Sequence, residues 1–114
     1  MASDLAFVEF ACDQARDAGR LSFKKMFGEY AIYLGNKVVA LVCDNRLFLK
    51  PTRAGRALLG NVAPSPPYPG AKPYFLIGEE IEDRELMSAA FKAAGDEVAE
   101  PKPKKKTKKR GDRR

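Results

Sequence analysis

The sequence predicts an α+β fold, a two-layer sandwich in which an antiparallel sheet of about five strands carries helices packed on one face. Three observations predict it. Residues 25–50 hold three strand-like runs separated by two turn signals. Residues 5–18 and 83–94 repeat apolar side chains at helical spacing. The order helix, strands, short helix, loop, strand, helix suits an antiparallel sheet with helices gathered on one side.

Ser3 and Asp4 are N-cap residue types ahead of the first helix. Leu5, Val8, Cys12 and Ala15 form its apolar stripe, and Gly19 is its expected end. Residues 21–27 read as a short strand leading into the meander, with Gly28 marking a bulge or turn. In the meander, residues 30–34 place Tyr30, Ile32 and Leu34 on one face. Residues 37–43 alternate Val38, Ala40 and Val42 against Val39, Leu41 and Cys43. Residues 46–50 set Leu47 and Leu49 either side of Phe48. Gly35-Asn36 and Asp44-Asn45 supply the turns, because Gly, Asn and Asp accept positive φ cheaply.

Pro51 has no N–H and stops the third run, and Thr52 caps a short helix over residues 53–59 that ends at Gly60. Residues 61–73 contain five prolines and are expected to form a stiff connector without regular structure. The competing role for this loop is to present Tyr68 to a partner as a short polyproline segment. Residues 74–77 read as one more strand. Asp83 then caps a helix whose stripe is Leu86, Met87, Ala90, Phe91 and Ala94, with Gly95 as its expected stop.

Charge divides the chain. The net charge is +6, but residues 101–114 carry nine cations against Asp112 alone, leaving 12 basic and 14 acidic groups in residues 1–100. A folded domain over residues 1–98 and a disordered Lys/Arg-rich tail over residues 99–114 are therefore expected. The tail cations Lys102, Lys104, Lys105, Lys106, Lys108, Lys109, Arg110, Arg113 and Arg114 are candidate nucleic-acid contacts. They suit DNA or RNA phosphates without sequence preference, and no aromatic in the tail can stack on bases. A solubilising tail, an acidic protein partner and an anionic membrane surface are the competing readings.

Catalytic chemistry is poorly supplied. There is no histidine, which removes the commonest general base and metal ligand. Cys12 and Cys43 lack metal-site spacing and read as two small buried thiols rather than a disulfide. The acidic run Glu79, Glu80, Glu82, Asp83 and Glu85 reads as a solvated helix start rather than a cation site. No metal, cofactor, catalytic residue or small-molecule substrate is expected. Lys24 and Lys25 beside Met26 and Phe27 are a candidate partner surface with Tyr68, although the favoured reading puts Met26 and Phe27 in the core and leaves the lysines solvated. No membrane span and no secretory signal are expected, which points to the cytoplasm.

Several stretches carry a family resemblance. They are Lys25-Met26-Phe27-Gly28, Tyr30-Ala31-Ile32-Tyr33, Val39-Ala40-Leu41-Val42 and Asp44-Asn45-Arg46-Leu47-Phe48-Leu49-Lys50, followed by Ala71-Lys72-Pro73-Tyr74-Phe75 and the helix from Asp83. Together they resemble the TfoX N-terminal domain family over about residues 4–98. Glu29 and Ala31 stand where that family usually has glycines, and the chain is similar to stand-alone N-domain proteins that lack the C-terminal domain of the TfoX and Sxy competence regulators. The resemblance implies a two-layer α/β sandwich, a regulatory association with competence genes, and no catalytic residues. The expected function is a non-enzymatic binding or regulatory module whose basic tail touches nucleic acid. The alternative is a protein-interaction or assembly module, in one version a homodimer through the sheet, with no nucleic-acid role.

Overall fold

The computed structural model describes residues 3–26 and 29–97. The predictions for Phe27, for Gly28 and for the tail, including all nine of its cations, lie outside the described residues. Helix α1 (Leu5–Gln14) is followed by a 3-10 turn at Arg16–Ala18. Strands β1 (Leu21–Met26), β2 (Glu29–Leu34), β3 (Lys37–Cys43) and β4 (Arg46–Leu49) form the meander. Then come α2 (Arg53–Leu59), β5 (Pro64–Ser65), β6 (Tyr74–Ile77), a 3-10 turn at Glu79–Glu82 and α3 (Arg84–Glu97). The six strands are ordered β1-β2-β3-β4-β6-β5, and all pairings are antiparallel.

The turns set the register. Asp44 and Asn45 have φ of 55° and 56°, the left-handed pair of a I′ hairpin, and Cys43 faces Arg46 across it. In the preceding hairpin Leu34 faces Lys37, and only Gly35 is left-handed, at 64°. The sheet then separates two apolar clusters. On one face Ile32, Val42, Leu47, Leu49, Phe75 and Ile77 pack against Val8 and Ala11 of α1, Leu59 of α2, and Met87, Ala90, Phe91 and Ala94 of α3. On the other face Ala31, Leu41, Cys43 and Phe48 form a smaller cluster with Tyr33, Val38, Tyr74 and Leu76.

Four details depart from the sequence reading. A bulge interrupts the β2–β3 ladder: Ile32 faces Ala40 while Tyr33 faces Val38, leaving Val39 as the extra residue. Val39 therefore joins Ala40 and Val42 on the helix side, and Val38 joins Leu41 and Cys43 on the other. Second, the proline-rich loop does contain sheet: Pro64 and Ser65 pair with Phe75 and Tyr74. A proline is tolerated there because β5 is an edge strand.

Third, Gly95 does not end the last helix, which continues to Glu97. A Cβ at Gly95 would meet Leu34 Cδ2, so this glycine is a packing device. Fourth, α1 is shorter than its pattern. Leu5 is exposed, whereas Gln14 is buried and its Nε2 donates to the Ile81 carbonyl at 2.9 Å. That bond satisfies both polar groups inside the fold.

A candidate partner-binding groove

Among the described residues, no helix covers the face of the sheet opposite α1, α2 and α3. The segment after β5 folds back across part of this face, burying Pro67 while leaving Tyr68 56% exposed. Between this wall and the sheet runs a groove of about 860 Å³. Val38, Leu41, Cys43 and Tyr74 form its floor, and Met26, Pro67, Tyr68 and Pro69 stand at its sides, while the Tyr30 ring turns to the helix face and meets Phe23. Glu29, Asp44, Arg46 and Lys50 supply its charges.

The register explains why these residues meet. Strand side chains alternate between faces, so Leu41 and Cys43 from β3 and Arg46 and Phe48 from β4 point away from the helices. The bulge adds Val38 to the same face. The charges are segregated along the strands. Glu29, Asp44 and Arg46 lie at the end where β2 starts and β3 finishes. Lys50 lies at the other end, where its N–H donates to the Val39 carbonyl at 2.8 Å.

The acidic end is tied down. The Ser3 hydroxyl donates to Glu29 Oε1 at 2.5 Å and accepts from the Asn45 N–H at 2.9 Å. The Asp44 N–H donates to Glu29 Oε2 at 3.1 Å, and the Asp4 N–H donates to Asn45 Oδ1 at 2.7 Å. Ser3 and Asp4 therefore fasten the chain start to the β3–β4 turn. Asp4 occupies the N-cap position but makes no side-chain cap bond. Arg46 lies 3.4 Å from Asp44 in an exposed pair and over the Phe48 ring at 5.9 Å. Such a pair contributes on the order of 0–1 kcal/mol and leaves both groups available to a ligand.

The floor is protonated at neutral pH. Burial pushes the Cys43 thiol above its ordinary value, helped by Glu29 and opposed by Arg46. Burial likewise pushes the Tyr74 hydroxyl up, with Tyr68 and Cys43 adding to the effect. Both groups remain neutral hydrogen-bond donors, and neither is an activated nucleophile. Cys12 packs on the helix side of the sheet and Cys43 on the groove side, so both are free thiols separated by the sheet.

The candidate surface Lys24, Lys25 and Tyr68 is not brought together as one patch. Lys24 and Lys25 are adjacent in β1 and project to opposite faces. Lys24 sits over the Tyr33 ring at 5.6 Å on the groove face. Both lysines are exposed, as expected, but Met26 is not a core residue: it is exposed and borders the groove. Tyr68 is in the groove wall. The sequence reading missed Tyr74, Val38 and Pro67, whose joint position depends on a loop returning over strands far away in the chain. Among the described residues, no group of three or more His, Cys, Asp or Glu is placed to hold a metal ion, and no helix is long and apolar enough to cross a membrane.

The TfoX N-terminal domain family matches residues 13–98, which span the whole meander, α2, β6 and α3. The chain belongs to the TfoX N-terminal domain family. A protein of Spirochaeta aurantia, described as an uncharacterized 12.7 kDa protein in the trpE 5′ region, is 41% identical over 105 residues. That similarity covers 92% of this chain and 91% of the relative. Every groove residue falls inside the matched TfoX N-terminal domain. The groove is thus built by the domain's own elements, with its wall supplied by the loop between α2 and β6.

Proposed function

We propose that the chain is a non-enzymatic, cytoplasmic binding module of TfoX type with a regulatory or accessory role, which engages a protein partner through the grooved face of its sheet. The observation that carries this reading is the groove itself: a concave apolar floor, a wall carrying Tyr68 and charged ends on the face opposite the described helices. The floor groups are neutral donors suited to binding and unsuited to nucleophilic attack. Affinity capture with the tagged full chain is expected to recover a stoichiometric protein partner, and Tyr68→Ala is expected to reduce that recovery several-fold because an exposed aromatic anchor is lost. Capture unaffected by Tyr68→Ala would move the partner surface elsewhere. Self-association abolished by Tyr68→Ala in sedimentation would make a second copy the occupant.

The nine cations of residues 101–114 support a second contribution, sequence-independent contact with DNA or RNA. Duplex binding should weaken steeply with salt, and nine cations limit the slope of log K against log[salt] to about −8. Deleting residues 101–114 should abolish this binding. Equal binding by the truncated chain would reject the role of the cations.

A further inference from the structure

The shape and chemistry of the groove narrow the class of partner it takes. We propose that it binds an extended, proline-rich peptide segment carrying an arginine or lysine at the end that meets Glu29 and Asp44. The proposal rests on the reading that the grooved face engages a protein partner, and it names the part of that partner that docks.

Length is the first argument. The charged lining residues mark the groove's two ends along the strands, Asp44 and Arg46 at one and Lys50 at the other. A strand rises about 3.3 Å per residue, so Arg46 and Lys50 lie roughly 13 Å apart. A polyproline II segment rises about 3.1 Å per residue, so about four residues fill this span.

The ligand's backbone is the second. β2, β3, β4 and β6 each have a paired strand on both sides, so the floor has no free N–H or C=O row for an added β-strand. Among the described residues β1 is an outer strand, and its Lys24 and Lys25 oppose edge pairing. A peptide laid along the floor must therefore satisfy its own backbone through water. A polyproline II segment does this, because it has no internal hydrogen bonds and its prolines have no N–H to bury.

Side-chain chemistry is the third. Tyr68 and Tyr74 offer flat apolar rings for proline faces, and the neutral Tyr74 hydroxyl can donate to a peptide carbonyl. Charge then sets direction. Glu29 and Asp44 outnumber Arg46 at one end, while Lys50 stands at the other. A cationic residue is favoured at the first end and disfavoured at the second.

The test is fluorescence anisotropy on the full chain with a labelled proline-rich peptide ending in arginine. Two control probes replace each proline by glycine or the arginine by glutamate. The arginine probe is expected to bind, and each control is expected to bind about tenfold more weakly. Tyr68→Ala should weaken the arginine probe by about tenfold. Asp44→Asn should reduce its advantage over the glutamate probe; asparagine tolerates the φ of 55° there. Equal binding of the proline and glycine probes, or an unchanged affinity in Tyr68→Ala, would overturn the proposal. If the probes fail while Tyr68→Ala still strips the captured partner, the peptide class is wrong and the docking face stands. If Tyr68→Ala affects neither, both are wrong.

Discussion

Gly95 shows how one residue type can serve two purposes. In sequence it resembles a helix stop, yet it is buried within α3, and a side chain there would collide with Leu34. Leu34 is enclosed from a second direction, since a Cβ at Gly19 would come within 2.9 Å of its Cδ1. Gly95→Ala gains up to about 1 kcal/mol of helix propensity and adds an overpacking cost of about 1–3 kcal/mol. A net loss of about 1 kcal/mol in urea unfolding is expected, and Gly95→Ala combined with Leu34→Ala should lose less than the sum of the two single changes. Strict additivity would show that the two sites do not touch. At Asn45, a left-handed φ and a side-chain bond to the Asp4 N–H coincide, so a turn residue also anchors the chain start.

At the scale of elements, α2 is a seven-residue helix held at its start by other parts of the chain. Thr52 Oγ1 accepts from the Gly55 N–H at 2.9 Å, and the Glu97 carboxylate accepts from the Arg53 and Ala54 N–H groups at 3.0 and 2.8 Å. The end of α3 therefore supplies part of the cap of α2. Thr52→Ala should lower stability by about 1 kcal/mol, while Thr52→Ser should retain most of it. Equal losses in the two variants would remove the hydroxyl from the explanation. The Thr52 cap and the Gly60 stop follow from local sequence, because such caps act within three or four residues. The Glu97 contribution does not, because it joins residues more than forty positions apart. The strands were readable for the same local reason, through alternation and left-handed turns. The bulge was not, since Val38-Val39-Ala40 gives no side-chain signal for an extra residue. The groove floor was partly visible as the second face of the meander, but its wall and its charge order arise only when the loop closes.

Across the whole molecule, the sheet holds one thiol in each apolar layer. Burial, with a smaller effect from Glu9, pushes the Cys12 thiol up to about 11 from an ordinary value of 9.0. Below pH 9 the folded and unfolded chains both keep this proton. Between about 9 and about 11 the unfolded chain releases it first, so stability falls as pH rises. Cys43 and Tyr74, both raised, add to the fall in the same direction. Urea midpoints under reducing conditions should therefore decline from pH 8 toward pH 11, and Cys12→Ala should flatten the decline. An identical decline in Cys12→Ala would assign it to other groups.

The bulge at Val39 makes β3 unusually tolerant of one kind of length change. Elsewhere in the strand, losing one residue would reverse the facing of the side chains beyond it and exchange buried positions for exposed ones. Removing Val39 alone would leave Val38 opposite Tyr33 and Ala40 opposite Ile32, each already on its proper side. The loss would be confined to one buried valine, about 1.5–3 kcal/mol of burial. Insertions and deletions among related chains should therefore gather at this position, and a gap there would record a straightened strand rather than a different fold.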